Sequence, residues 1–284
     1  MKVLVTFAVL SEFAPWRSRH KFLPVQQPAA QPVTQPVKQP TQPSAQRSVQ
    51  RRPAAGADAV FTYQARVANC DVRVVLTGMG GQNAALRLHR AFREAPDFCI
   101  SSGLAGGLTE ACRAGDVVVG RRVSWRGTTS SLPGDAQLLR TASACGAKLV
   151  NRFVTVEKIA VTAAQKQSLG SSGDVVEMES YFVMRAAAGA KVPAVAVRAI
   201  SDVRDEDLPM DFDGVVDAQG SIKMRKLLGR VAQSPRSIPA LMRFGLQSRK
   251  ASRALADFLD LYLNALDGDG EDAASLALRE ATAV

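Results

Sequence analysis

Pro193-Ala194-Val195-Ala196-Val197 runs into Arg198-Ala199-Ile200-Ser201-Asp202, and the reading of this stretch sets the fold class. The first five residues are apolar and lack helix-length periodicity, so they read as a short buried strand. A polar cluster follows, Arg198 to Asp202, and then the charged loop Val203-Arg204-Asp205-Glu206-Asp207. Open α/β sheets hold their ligands at the carboxyl ends of central strands, which makes Asp202 a candidate catalytic acid.

Upstream, the same kind of unit recurs. Residues 2–9 are expected to form the first strand, with Ser11 capping a helix over Glu12 to Arg19. Val60 to Val67 alternates as a half-buried strand, Ala68-Asn69 reads as a turn, and Cys70 to Thr77 as the next strand. Gly78-Met79-Gly80-Gly81-Gln82-Asn83 then precedes a helical run, Ala84 to Glu94. As a dinucleotide fingerprint this turn fails, because Asn83 stands where the third glycine belongs. Phe98 to Ser102 is a strand, Gly103-Leu104-Ala105-Gly106-Gly107-Leu108 a second glycine-rich exit, and Gly115 to Gly120 opens a long strand. Residues 135–145 read as helix and Leu149 to Ile159 as extended. Asp174 to Glu179 is a short strand entering a helix, Ser180 to Ala188, that Gly189 can close. This alternation predicts an α/β protein with a central, buried sheet.

With 284 residues the chain can bury a sizeable core. No apolar run approaches the roughly 20 residues of a membrane span. Met1 to Leu10 is read as a buried strand rather than a signal peptide: one lysine is a thin basic region, and Glu12, Trp16 and Arg17 stand where small residues should precede cleavage. Residues 23–56 carry prolines at 24, 28, 32, 36 and 40 among Gln, Val and Thr, a composition that excludes helix and central strand. They read as a disordered insertion and solvated tether, with a basic end at Arg47, Arg51 and Arg52. Cys70, Cys99, Cys112 and Cys145 show no C-x-x-C spacing and read as buried reduced thiols. His20 and His89 are the only histidines, too few for a Ser-His-Asp triad or a histidine-rich metal site, and no metal or other cofactor is expected.

The net charge of +10 points toward nucleic acid, but its distribution points elsewhere. Ser221 to Arg253 holds Lys223, Arg225, Lys226, Arg230, Arg236, Arg243, Arg249, Lys250 and Arg253 and no acid, with Ile222, Leu227, Leu228, Val231, Ile238, Leu241, Met242 and Phe244 interleaved. That is a basic amphipathic helical pattern, suited either to an anionic membrane surface or to docking on the sheet with its charges solvated. Residues 221–266 read as a helical extension and 267–284 as a frayed acidic tail. No basic patch is interleaved with stacking aromatics, so a nucleic-acid partner is not expected.

Three acids lie at strand ends or strand–helix junctions: Glu12, Glu179 and Asp202. Cleavage of a glycosidic bond needs such a set: an acid for the leaving group, a carboxylate to activate water, and a group to hold the sugar hydroxyls. The same positions suit a helix-cap acid, a surface acid and a loop acid. Spacing alone leans to this plainer reading.

Taken in order, Ala8-Val9-Leu10-Ser11-Glu12, Thr77-Gly78-Met79-Gly80, Ser102 to Leu108, Gly115 to Val119, Val176-Glu177-Met178-Glu179-Ser180 and Arg198 to Asp202 resemble the nucleoside phosphorylase and nucleosidase superfamily, most of all its methylthioadenosine/S-adenosylhomocysteine nucleosidase branch. The resemblance spans about residues 1–22 and 57–230 and implies one phosphorylase-like domain over 1–265, a three-layer α/β/α fold on a mixed central sheet. It implies that Asp202 protonates the purine at N7, that Ser201 helps bind and orient the base, and that Glu12 activates the attacking water. Glu179 would bind the ribose hydroxyls and Met178 pack on the sugar. Met79, Leu104, Ala105 and Gly106 would line the site, and Val156 and Glu157 flank the base. Two departures stand out: Leu104 replaces the usual Ser, and no aromatic accompanies Val156 and Glu157. No arginine stands near the second glycine turn, and Glu12 would repel a phosphate dianion, so hydrolysis is favoured over phosphorolysis. A phosphate-dependent purine nucleoside phosphorylase, with Arg17 or Arg121 touching phosphate, and a non-catalytic nucleoside-binding protein are the alternatives.

The basic extension, the opening Phe13-Ala14-Pro15-Trp16-Arg17 and the apolar Leu104 further resemble the branch linked to hopanoid lipid synthesis. That resemblance implies adenine removal from an adenosylated hopane. A homodimer is expected, in the cytoplasm and peripheral to the inner membrane face.

Overall fold

The computed structural model describes residues 1–25, 62–80, 88, 90–126, 128–210 and 238–267. In chain order the elements are β1 (Lys2–Phe7), α1 (Leu10–Arg17), β2 (Leu23–Pro24), β3 (Thr62–Val67), β4 (Cys70–Leu76), β5 (Phe98–Ser101), β6 (Leu104–Gly107), β7 (Val117–Trp125) and β8 (Ser131–Pro133). There follow α2 (Ala136–Ala144), β9 (Lys148–Thr155), α3 (Ala163–Leu169), β10 (Val175–Glu177), α4 (Ser180–Gly189), β11 (Ala194–Asp202) and α5 (Ile238–Asp267).

Every residue of β11 is buried, as its near-continuous apolar sequence requires of a strand covered on both faces. Its first residues pair parallel with β5, its middle pairs antiparallel with β7, and its end pairs parallel with β6. On one side the sheet continues through β5, β1, β4 and β3 to the edge strand β2. On the other it runs β6-β10-β9-β7, and because β7 returns to β11 these five strands close into a ring. β11 therefore belongs to both halves.

Side-chain alternation makes three layers. Val3, Val5 and Phe7 of β1 and Val195 and Val197 of β11 face a layer holding Phe13 and Trp16 of α1, Leu138 and Ala142 of α2, and Leu255, Leu259 and Tyr262 of α5. Leu4, Ala194, Ala196 and Ile200 face the other way, onto Leu88, Ala91 and, from α4, Tyr181, Met184 and Ala187. The expected three-layer arrangement on a mixed sheet is what the chain forms.

Several expectations are corrected. The first helix begins at Leu10 with Val9 as its cap residue, so Ser11 lies inside it and caps nothing. The carboxylate of Glu12 takes that role by accepting the Val9 N–H. Leu23 and Pro24, assigned above to the insertion, pair antiparallel with Tyr63 and Gln64, because an outermost strand needs no proline N–H. The second glycine-rich exit is largely strand β6. Gly189 does not cap α4: the left-handed position falls on Lys191, at φ 58°. Cys145 is only half-buried, whereas the other three cysteines are buried. The rest of the Pro/Gln insertion, Gly81-Gln82-Asn83 with most of the 84–94 helix, His89, residues 221–237 and the acidic tail from 268 lie outside the described residues.

The long α5 divides in two. From Ala251 its inner face packs into the core through Leu255, Phe258, Leu259, Tyr262 and Leu263. Its first turns instead leave Ile238, Met242 and Leu246 exposed at four-residue spacing, beside exposed Arg243 and Arg249.

Candidate functional site

Glu12 sits in the first turn of α1, where the helix dipole favours an acid. Its Oε2 accepts the N–H groups of Ala8 (3.1 Å) and Val9 (3.4 Å), and its Oε1 accepts that of Leu104 (3.1 Å). The carboxylate thus ties the end of β1 to the start of β6. Gly103 makes this approach possible: its φ is +148°, and a Cβ there would lie 3.1 Å from Oε2. Burial raises the pKa of Glu12 above the ordinary carboxylate value, against the pull of the Leu104, Val9 and Ala8 N–H groups and of Arg198.

Glu179, buried at the junction of β10 and α4, accepts the Gly80 N–H at 2.9 Å. Its pKa is pushed up to about 8, first by burial and then by the adjacent Glu177, with Glu12 adding a smaller push. Arg198 and the Gly80 N–H oppose the shift. Glu12 and Glu179 are therefore near enough to feel one another and a common cation.

That cation was not given a role by the sequence. Arg198 is 1% exposed, and its Nη2 meets Glu177 Oε2 at 2.7 Å. Nη1 donates to the carbonyls of Ser101 (2.8 Å) and Val197 (3.0 Å). Glu177 Oε2 also accepts the N–H groups of Glu179 (2.9 Å) and Ser180 (2.7 Å), and its other oxygen accepts the Thr155 hydroxyl. The pair is the floor from which Glu179 is presented.

Asp202 closes the other end. The pairing of β11 with β6 slips between Ile200 and Asp202, so that Ile200 faces Ala105 and Asp202 faces Gly106. Such a bulge re-aims a side chain. Asp202 Oδ2 lies 3.0 Å from where a Gly106 Cβ would stand, so a methyl at 106 would crowd the carboxylate. Ser201 donates to Asp202 Oδ1 at 2.7 Å, and Lys166 of α3, with no exposed surface, is ion-paired to Oδ2. Leu104 and Gly106 are two residues apart on one strand, which puts the Glu12 and Asp202 contacts about 7 Å apart along β6.

The structure brings Glu12, Leu104, Ala105, Gly106, Ser201 and Asp202 onto one strand pair, with Glu179 joined through Gly80, the neighbour of half-buried Met79. Half-buried Met178 packs against the apolar cluster that holds Val156 and Val176. Glu157 is exposed. Arg17 lies over the Tyr63 ring, 4.8 Å from its centre. Sequence reasoning passed over Lys166, the Glu177–Arg198 pair and the bulge. The charged pattern Glu177-x-Glu179 was a signal for the pair; Lys166 had none.

The same architecture occurs in solved structures. It is similar to the 5′-methylthioadenosine/S-adenosylhomocysteine nucleosidase of Campylobacter jejuni, at 14% identity over 93% of this chain and 99% of that one, with a TM-score of 0.63. The corresponding nucleosidase of Neisseria meningitidis, in complex with methylthio-immucillin-A, is 18% identical over 93% and 99% of the two chains, at 0.64. Futalosine hydrolase of Helicobacter pylori is 15% identical over 93% and 97%, also at 0.64. At such identities the likeness is one of fold. The sequence profile of the phosphorylase superfamily matches residues 35–232, well over half of the protein. The chain belongs to the phosphorylase superfamily.

Proposed function

We propose that this protein hydrolyses the N-glycosidic bond of a purine nucleoside and releases adenine. The observation that carries the reading is the pair of carboxylates held on β6, Glu12 at Leu104 and Asp202 at Gly106. Two carboxylates presented at neighbouring points of one strand suit two-carboxylate glycosidic hydrolysis with an oxocarbenium-like transition state. Asp202 gives the proton to the base. Glu12, with its raised pKa, takes one from water. Glu179 hydrogen-bonds the ribose hydroxyls, and Met79, Met178 and Val156 supply apolar contact. Hydrolysis is preferred to phosphorolysis because the Glu12 carboxylate repels a phosphate dianion, and both Nη groups of Arg198 are already committed to Glu177, Ser101 and Val197.

The finer reading is a substrate with an apolar 5′ group, an adenosylated hopane. Leu104 stands where a hydroxyl residue is usual, and the exposed Ile238, Met242 and Leu246 beside Arg243 and Arg249 suit an anionic membrane surface from which such a lipid is drawn.

The test is adenine release from adenosine, 5′-methylthioadenosine, S-adenosylhomocysteine and a long-chain 5′-alkyl adenosine, with and without phosphate. Phosphate-independent release, abolished in Asp202→Asn, is expected, with the alkyl substrate preferred and liposomes of anionic lipid bound. Strict phosphate dependence would replace hydrolysis by phosphorolysis. An inactive wild type that still binds adenosine would make the protein a binding module. Efficient cleavage of methylthioadenosine without liposome binding removes the lipid assignment.

A further inference from the structure

Lys166 is the most completely buried cation near the site, and all three of its ammonium protons are assigned. Nζ is paired with Asp202 Oδ2 and donates to the main-chain carbonyls of Val203 (3.0 Å) and Glu206 (2.7 Å). The other charged groups of the loop after β11 are engaged elsewhere. Arg204 meets Glu110 and Asp205, Asp205 accepts from Gln167, the Glu206 carboxylate pairs with Arg243, and Asp207 accepts the Ala163 N–H. Among the described residues Asp202 is the acidic side chain that faces Lys166. A buried lysine is a costly way to hold a turn, since an apolar side chain of similar volume packs there at no desolvation cost. Its direct contact with the proton-donating carboxyl points to a part in the chemistry.

We propose that Lys166 and Asp202 act as one acid, Lys166 being the positioning residue that supplies through Asp202 the proton carried off by the base. The proposal rests on the nucleosidase reading. In the step, the Lys166 ammonium gives a proton to the Asp202 carboxylate. The carboxyl passes it to the purine ring nitrogen as the C1′–N9 bond breaks and its electron pair goes to the base. Water adds to C1′ and yields a proton to Glu12. A neutral amine, a carboxylate at Asp202 and a protonated Glu12 remain. Exchange with solvent then takes the proton from Glu12 and returns one to Lys166, so the cycle closes without net change.

The experiment compares full-length wild type, Lys166→Met and Lys166→Arg across about pH 5 to about pH 10, using the same nucleoside panel. In Lys166→Met the alkaline limb of kcat moves down by about one pH unit or more, and kcat above it falls about tenfold per unit, with KM little changed. Lys166→Arg keeps the limb in place. An unmoved limb in Lys166→Met, or a change confined to KM, overturns the proposal. If wild type releases no adenine, the nucleosidase reading fails, and the pair is tested alone by the 13C carboxyl resonance of Asp202, identified by its loss in Asp202→Asn. That resonance moves with pH in Lys166→Met and stays constant in wild type; equal movement in both overturns the pairing. Should Lys166→Met not fold, Lys166→Gln, which can still donate to a loop carbonyl, replaces it in both measurements.

Discussion

Arg198 and Glu177 meet at 2.7 Å beneath the site, each almost wholly removed from solvent. The ion pair joins β11 to β10, although the two strands are not neighbours in the sheet: β6 lies between them. Because Glu177 also accepts the N–H groups of Glu179 and Ser180, the position of one carboxylate fixes the start of α4 and the presentation of Glu179.

Arg198→Met should therefore be among the most damaging single changes outside the hydrophobic core. It strands Glu177 as a buried, unpaired charge, a loss of about 3–5 kcal/mol in chemical denaturation. Adding Glu177→Leu should recover only part of this, because the N–H groups at 179 and 180 then lose their acceptor.

Glu179 is a cost to the fold at neutral pH. Its pKa rises from 4.5 unfolded to about 8 folded, so the stability it contributes is fully present below 4.5 and is lost as pH climbs through 8. Glu179→Gln should raise the thermal midpoint near pH 8, each 1 kcal/mol relieved being worth roughly 2–4 °C. That advantage should vanish near pH 4.5. A midpoint difference independent of pH would show that the carboxyl's titration is not the cause.

Glu12 must be ionised to accept a proton from water, and burial raises its pKa. The acidic limb of kcat/KM should accordingly lie above the ordinary carboxylate value of 4.5. Glu12→Gln should lower kcat by about 10²–10⁴-fold, the usual range for a positioned proton-transfer group, and flatten that limb.

Gly106→Ala tests the close packing of β6 against the acid. The new methyl would stand 3.0 Å from Asp202 Oδ2 and 3.1 Å from Val176 Cγ1, so the carboxylate or its neighbour must shift to make room. A small displacement of this kind should reduce kcat about 10²-fold, while denaturation shifts by about 1–3 kcal/mol. Unchanged turnover would mean that Asp202 tolerates the displacement, and would count against its role as the acid.

The strand order of the central region was legible where local pattern carries the information. The apolar run before Arg198 reads as a buried strand because β11 is covered on both faces. Leu104-Ala105-Gly106-Gly107 was misread as a turn because glycine usually marks one. Here the glycines serve close approach instead: a Cβ on Gly107 would lie 2.8 Å from the Cβ of Cys112, and one on Gly106 would meet Asp202. Asp202, Glu12 and Glu179 stand out in the sequence because acids at strand ends are conspicuous. Lys166 was invisible because its partner lies beyond a crossover, and nothing within Gln165-Lys166-Gln167 distinguishes a buried ammonium from a solvated one. The bulge at Ser201 likewise depends on which strand lies alongside, something no local window contains.

The dual membership of β11, in the open sheet and in the closed ring, bears on how the protein is made. Glu12 is synthesised long before Asp202, and the strand that seals the ring and carries Asp202 is the last of the described strands to be made. Closing so distant a contact is slow, and until it happens β5, β6 and β7 lack their shared neighbour. A chain truncated before residue 194 should then be not a weakened enzyme but a substrate for chaperones and proteases.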